Sequence, residues 1–271
     1  MFDENLLKSK AKESRQLILE LAHDTKGAAH FGGSLSSVEI MTYLYSCFLR
    51  YDTNAPEKED RDRFILSKGH CVLSYYIALY QSGFFDREKL WEFEADGGPL
   101  LSHPVRDLSL GIESSNGSLG QGLSFAVGQQ LAARRKGLGY RNVVLMGDGE
   151  CDEGSVWEAA MAAGHYGLSG LVAVIDCNGL QSDGYTKDIL DIKEMFSHWT
   201  ALGFKVYHVN GHDFGEIHKA FSDMDFEDGH PKLVIADTIK GKGISFMENN
   251  NVWHHEPITE ALYEKAKSEL Q

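Results

Sequence analysis

A chain of 271 residues with a net charge of −14 and 42% hydrophobic residues has the size and composition of one sizeable soluble domain and is small for two. The acidity argues against nucleic acid as a partner, because binding to a phosphate backbone relies on basic patches and none is evident. No apolar run approaches the ~20 residues that cross a bilayer, and the N-terminal MFDENLLKSKAKESRQ lacks the apolar core of a secretory signal. The cysteines, Cys47, Cys71, Cys151 and Cys177, show no C-x-x-C spacing. That speaks against zinc or a disulfide framework and for small buried thiols in a reduced, cytoplasmic setting.

Helical spacing runs through 5–24, where Leu6, Leu17, Ile18, Leu21 and Ala22 share a face. It also runs through 36–50, where Val38, Met41, Tyr45, Phe48 and Leu49 recur at three- and four-residue steps. Phe64-Ile65-Leu66 reads as a short strand, followed by Ser67-Lys68-Gly69-His70 and a helix to about Gln81. Residues 86–95 read as a helix with Asp86 as N-cap and Glu88 and Glu92 in its early turns. Residues 96–118 carry Gly, Pro and Ser in quantity and read as a long loop, a kind that in compact domains is often functional.

From residue 119 the rhythm changes to alternation: helix 121–136, strand 142–146, helix 155–167, strand 171–176, loop 178–190, helix 191–202, strand 204–209, helix 213–223 and strand 232–237. The pattern predicts an α/β fold, a doubly wound parallel sheet with helices on both faces. No repeat or low-complexity linker divides the chain, so one domain over 1–271 is expected, with 250–271 as a loose C-terminal tail.

The most informative stretch is Gly147-Asp148-Gly149, followed by 28 residues and then Asn178, with Leu180 two places on. Apolar runs at 143–146 and 171–175 place the Asp and the Asn at the carboxyl ends of two neighbouring strands, where open parallel sheets bind ligands. An Asp carboxylate, an Asn amide oxygen and a backbone carbonyl are hard oxygen donors suited to Mg²⁺ or Ca²⁺, and Mg²⁺ keeps positions open for phosphate oxygens. The glycines let the backbone approach a phosphate without a Cβ clash. Taken singly, Asp148 and Asn178 are ordinary turn residues; taken together at this spacing they read as a metal-bridged diphosphate site.

GDG…N is the diphosphate signature of thiamine diphosphate (ThDP) enzymes, and from about residue 10 to about residue 255 the chain resembles the N-terminal, diphosphate-binding domain of transketolases. HFGGSLSSVEI (30–40), DRDRFILSKGH (60–70), SHP (102–104), NGSLGQGLSFAVG (116–128), GDGECDEGSVWEA (147–159) and NGHD (210–213) carry the likeness in the family's order. The resemblance implies the ThDP-binding fold, ThDP as cofactor, and a divalent metal, Mg²⁺ with Ca²⁺ or Mn²⁺ as alternatives. Asp148, Asn178 and the Leu180 carbonyl would hold the metal, and Gly149 would offer its amide to the diphosphate.

By the same likeness His70 would face the diphosphate at a helix N-terminus, and His30 and His103 would face the sugar, hydrogen-bonding its hydroxyls and moving protons. The main chain of Gly117 and Leu119 would contact the aminopyrimidine ring. Glu153 and Glu158 match acidic positions around the cofactor sites, Glu153 being one that couples two sites of a dimer; stabilisation of a helix N-terminus accounts for both equally well. Two departures stand out. Where the family usually shows His-Gly, this chain has His254-His255, so that either histidine faces the diphosphate or the loop simply differs. Phe31 replaces a common proline beside His30.

A whole transketolase continues with a pyrimidine-binding domain and a further C-terminal domain, and the sequence here carries neither. The expected enzyme is therefore the N-terminal subunit of a split transketolase, self-associated and joined to a separate C-terminal subunit that carries the pyrimidine-binding domain (α₂β₂). It would move a two-carbon ketol unit from a ketose (phosphate) donor to an aldose acceptor. Met1 and the compact tail favour a split enzyme over a fragment. Pentose phosphates, sulfosugars and branched sugars all fit as substrates. The alternatives are a subunit of a deoxyxylulose-phosphate synthase or of a 2-oxo acid dehydrogenase, and a non-catalytic ThDP-binding or regulatory module.

Overall fold

The computed structural model describes residues 2–271. In chain order its elements are α1 (Glu4–Asp24), β1 (Ala28–Ala29), α2 (Phe31–Ser36), α3 (Val38–Tyr43), β2 (Arg63–Leu66), α4 (Val72–Gln81), α5 (Arg87–Leu90), α6 (Gln121–Lys136), β3 (Asn142–Gly147) and α7 (Gly154–His165). They continue with β4 (Leu171–Cys177), α8 (Thr186–Ile189), α9 (His198–Ala201), β5 (Lys205–Asn210), α10 (Phe214–Ser222), β6 (Lys232–Asp237), β7 (Glu256–Pro257) and α11 (Glu260–Glu269). Five strands form one all-parallel sheet in the order β2-β3-β4-β6-β5.

Successive side chains of a strand point to opposite faces, and the sheet divides its apolar residues accordingly. Phe64, Leu66, Val143, Leu145, Val172, Val174, Val234 and Ala236 join a core with α1, α3, α4 and α10. Ile65, Val144, Met146, Ala173, Ile175, Leu233 and Ile235 join a second core with Leu123 of α6, Val156 and Ala160 of α7 and Trp199 of α9. Burial on both faces explains why these strands read as unbroken apolar runs. The expected doubly wound α/β sheet, with helices on both faces, is the fold observed.

Local chemistry sets the ends. Asp3 caps α1 by accepting from the Leu6 N–H at 3.1 Å. Arg134, Arg135 and Lys136 fill the last turn of α6 before Gly137. Among the described residues no helix is long and apolar enough to cross a membrane.

The helix expected over 36–50 is broken. It starts earlier, stops at Ser37, restarts as α3 and passes into a π-turn at Leu44–Phe48. Ser37 causes the interruption: its hydroxyl bonds the Gly33 carbonyl at 2.8 Å and the Ser74 hydroxyl at 3.0 Å, competing with the backbone ladder. The helix expected over 86–95 ends at Leu90. Asp86 does cap it, accepting from the Lys89 N–H at 3.1 Å, but Glu94 takes a left-handed conformation (φ 54°) and bonds to the Leu100 carbonyl. The helix expected over 191–202 is a 3₁₀ turn (Lys193–Ser197) leading into α9.

The C-terminal segment is not loose. β7 pairs antiparallel with β1, Ala28 against Pro257 and Ala29 against Glu256. After it α11 lies on α1, burying Ala266 and Leu270 in the first core, with His23 bonded to Glu260 at 3.0 Å.

Candidate cofactor site

The carboxyl ends of β2, β3, β4 and β6 open onto a cavity of about 410 Å³. Its walls include His30, His70, His103 and His254, which cluster together, and Lys68, Asp148, Asn178, Leu180 and Lys240. Gly117, Leu119, Gly149 and Glu153 also line it, so every residue proposed from the sequence for cofactor, metal or sugar is at this one place. Glu158 lies on the exposed side of α7, beyond its first turn.

Asp148 follows β3 and is 5% exposed. Its Oδ1 accepts from the Gly149 N–H at 2.9 Å and its Oδ2 from the Gly179 N–H at 2.6 Å. Burial first, and then the charge of Asp176, push its carboxyl up to about 6, so a cation placed beside it would relieve both. Asn178 turns its Oδ1 toward the Leu180 N–H at 3.1 Å, while its Nδ2 donates to Asp176 Oδ2 at 3.3 Å. The Leu180 carbonyl accepts from Lys240 Nζ at 3.2 Å. A carboxylate, an amide oxygen and a backbone carbonyl are donors of the type a hard divalent cation takes, the Leu180 carbonyl being held here by the Lys240 ammonium. Gly149 is needed here, since a Cβ at that position would lie 2.5 Å from Gln181 Cγ.

Behind this donor set is a buried charge pair that sequence reading missed. Lys68 Nζ bonds Asp176, and the two side chains are 2% and 0% exposed. Asp176 also accepts from the Ser36 hydroxyl at 2.5 Å and from Thr238. Burial alone would raise the Asp176 carboxyl and lower the Lys68 ammonium; each outweighs that effect on the other, so the acid is depressed and the amine raised. Glu150 was missed too. Its carboxylate takes the Gly120 N–H at 2.8 Å, the Gly147 N–H at 3.1 Å and the Ser67 hydroxyl, tying the start of α6 to the ends of β2 and β3.

Part of the wall is a group of imidazoles. The His30 ring lies 5.4 Å from His70, 5.7 Å from His103 and 5.6 Å from His254, and stacks on His255 at 4.2 Å. The β1–β7 pair produces this meeting, because His30 follows β1 directly and His255 precedes β7. Both histidines of the 254–255 pair thus reach the site: His254 lines the cavity and bonds Lys240 at 3.0 Å, and His255 covers the outer side of His30.

Burial, followed by the neighbouring His255, holds His30 down to about 3. Burial and Lys240 hold His254 down to about 4, and burial lowers His70 and His103. His30, His70, His103 and His254 are therefore held toward their neutral form and present lone pairs as well as N–H donors. Phe31 is buried edge-on to Trp253 at 5.7 Å rather than lining the cavity.

Lys240 was also missed, although its sequence offered a signal, a lysine among glycines just after an apolar run. Its Nζ also bonds the Gln181 carbonyl at 3.1 Å and Asn251 Oδ1 at 3.2 Å. Burial first, and Lys68 next, bring the ammonium down to about 8. A second cavity of about 520 Å³ adjoins the site, sharing Asp148 and Asn178 and reaching Tyr185 and Phe196.

Residues 8–271 match the family model described as "Transketolase, thiamine diphosphate binding domain". The chain is 40% identical to one subunit of the apulose-4-phosphate transketolase of Phocaeicola vulgatus, over 97% of this chain and 93% of that protein. It is 39% identical to the 6-deoxy-6-sulfo-D-fructose transketolase subunit SqwG of Clostridium sp. (strain MSTE9), over 98% and 96%. Against the human transketolase it is 35% identical over 90% of this chain but 39% of that one. The transketolase structure from Campylobacter jejuni superposes with a TM-score of 0.90 at 27% identity, covering 99% of this chain and 43% of that one. The chain thus spans less than half of these two transketolases and nearly all of the two subunit proteins, and it belongs to the family of transketolase thiamine diphosphate-binding domains.

Proposed function

We propose that this chain is the diphosphate-binding subunit of a two-chain, ThDP- and Mg²⁺-dependent transketolase. It moves a two-carbon ketol unit from a ketose donor to an aldose acceptor, and works only with a second subunit that carries the pyrimidine-binding domain. The observation that carries the reading is the meeting of Asp148, Asn178 and the Leu180 carbonyl with His30, His70, His103 and His254 around one cavity. That the two subunit proteins named above match this chain almost end to end supports a partner chain; an assembly with two copies of each is part of the proposal.

When bound, ThDP supplies the carbanion chemistry that breaks and forms the carbon–carbon bond. Asp148, Asn178 and the Leu180 carbonyl hold the metal. The Gly149 N–H, His70, His254 and Lys240 face the diphosphate, and the Gly117–Leu119 main chain meets the aminopyrimidine ring. His30 and His103 hold the sugar: as neutral imidazoles their bare ring nitrogens accept hydroxyl protons and their N–H groups donate to oxygens. His255, stacked on His30, fixes that ring. Glu153, at the rim, faces a neighbouring subunit. The donor is a ketose with an anionic end group, phosphate or sulfonate, gripped by the partner subunit.

The test is native mass spectrometry of the protein from its own cells, followed by a ketol-transfer assay. A second chain in equal amount, with ThDP and a divalent metal retained, is the expected result. A homodimer lacking a partner and inert toward ketoses with ThDP and Mg²⁺ would overturn the reading.

A further inference from the structure

The NGHD block at 210–213 lies outside the cavity, yet each of its residues is engaged. Asn210 Oδ1 accepts from the His212 N–H at 3.0 Å, and the Gly211 N–H donates to the Asp237 carbonyl at 2.8 Å. Asp213 caps α10 by accepting from the Glu216 N–H at 2.9 Å. The His212 ring, 12% exposed, has its two nitrogens fully specified. Nε2 accepts from the Ile239 N–H at 2.9 Å and Nδ1 faces Glu39 Oε2 at 2.9 Å. A backbone N–H can only donate and a carboxylate can only accept, so the ring's proton is on Nδ1.

Glu39 is the hub of a wider grip. Arg15 Nη2 donates to Glu39 Oε2 at 2.9 Å, and Arg15 Nε donates to the Lys242 carbonyl at 3.0 Å. The turn after β6 is therefore held at Ile239 by His212 and at Lys242 by Arg15, and both clamps meet on one buried carboxylate. Between the two points lies Lys240. Its stem runs against α2 at Gly32, where a Cβ would come within 2.8 Å of Lys240 Cγ, and the Gly241 N–H donates to the Gly32 carbonyl at 3.0 Å.

We infer that His212, held in one tautomer by Glu39, is a positioning residue for the cofactor site: through the Ile239 N–H it sets the turn that carries Lys240 to the diphosphate. The inference rests on the cavity being that site. His212 touches nothing in the cavity and acts only through Lys240.

The test measures ThDP affinity by calorimetry at saturating Mg²⁺, on the chain with its partner subunit. His212→Ala, Lys240→Met, the double variant and His212→Gln are compared, with melting curves for each. His212→Ala should weaken ThDP about tenfold, the scale of one buried hydrogen bond. In the Lys240→Met background the same change should weaken it less than about twofold, since coupled residues are not additive. His212→Gln should stay near wild type, because a glutamine oxygen can take the place of Nε2 and accept from Ile239. Should His212→Ala not fold, Glu39→Gln replaces it in the same cycle, with a smaller loss that again disappears beside Lys240→Met.

Equal weakening in both backgrounds would overturn the inference and leave His212 as general support for the fold. So would unchanged affinity in His212→Ala. If the wild-type complex binds no ThDP, the functional reading itself fails and the inference falls with it.

Discussion

Lys68→Met isolates the buried pair beneath the site. The ammonium is 2% exposed and its partner carboxylate is 0% exposed, so neither end is screened by water. Removing one partner of such a pair strands the other charge, which typically costs about 3–5 kcal/mol. Here Asp176 keeps the Ser36 hydroxyl, Thr238 and the Asn178 amide as donors, which places the loss near the lower end, at about 3 kcal/mol. For a urea m-value of about 3 kcal/mol/M that is a midpoint shift of about 1 M.

Sign and pH window follow from the same pair. In the wild type the Asp176 carboxyl is depressed, so its contribution is present above the unfolded value of 3.8 and is lost as pH falls through the folded value. In Lys68→Met the Ser36, Thr238 and Asn178 donors remain but the ammonium that outweighed burial is gone; the carboxyl is expected to rise above 3.8, so that folding is disfavoured progressively as pH rises. The gap between the two proteins should be widest at pH 7 and should narrow toward pH 4. Adding Asp176→Asn, which removes the stranded charge, should recover part of the loss. Urea unfolding followed by tryptophan fluorescence at both pH values reads all of this. A shift under about 0.2 M at pH 7, or a double variant no more stable than the single one, would refute the reasoning.

Asn178→Ala removes one oxygen donor and should weaken Mg²⁺-dependent ThDP binding by about tenfold or more; unchanged affinity by calorimetry would remove Asn178 from the metal set. His103→Ala, in the complex with the partner subunit, should lower turnover by about 10²-fold while cofactor affinity stays within about threefold; the reverse split would move His103 from the sugar to the diphosphate. His30, held down to about 3, should show no imidazole titration between pH 5 and 8 in nitrogen-15 spectra. Because its folded value lies below the unfolded 6.5, its effect on stability is unfavourable in acid and fades as pH rises from about 3 to 6.5. A midpoint near 6 would contradict the burial assigned to it.

The parts of the site that were legible in the sequence are those that local chemistry writes. An unbroken apolar run ending in Gly-Asp-Gly announces a strand buried on both faces and a ligand-binding edge, and β3 and β4 are placed as that pattern requires. Ser37 and Glu94 were not legible as breaks. Periodicity counts apolar positions and cannot see a hydroxyl that finds a carbonyl one turn back, or a glutamate that adopts φ 54° to close a loop. Lys68 and Asp176 are 108 residues apart, and nothing local tells such a buried pair from two surface charges. Glu150 was hidden by its company, one acid in a run of four, and only the backbone donors converging on it set it apart.

The largest misreading, the tail, leads to a last prediction. β7 is two residues long, too short for any periodic signal, yet its register with β1 delivers His254 to the cavity and His255 onto His30. α11 anchors that register by burying Ala266 and Leu270 against α1, with Leu262 and Tyr263 partly buried beside them. Deleting residues 256–271 leaves every diphosphate-facing side chain in the sequence but removes the anchor. Leu270 alone loses burial of about 1.5–3 kcal/mol, and the partly buried Leu262 and Tyr263 add to it. If the helix served stability alone, the shortened chain, held well below its melting temperature with its partner present, would bind ThDP as the full chain does. If β7 sets the histidine wall, affinity should fall about tenfold under those folded conditions, and His254→Ala, costly in the full chain, should cost little in the shortened one. Undiminished affinity in a folded, shortened chain would reduce α11 to a buttress and leave His254 held by Lys240 and the neighbouring imidazoles without help from the tail.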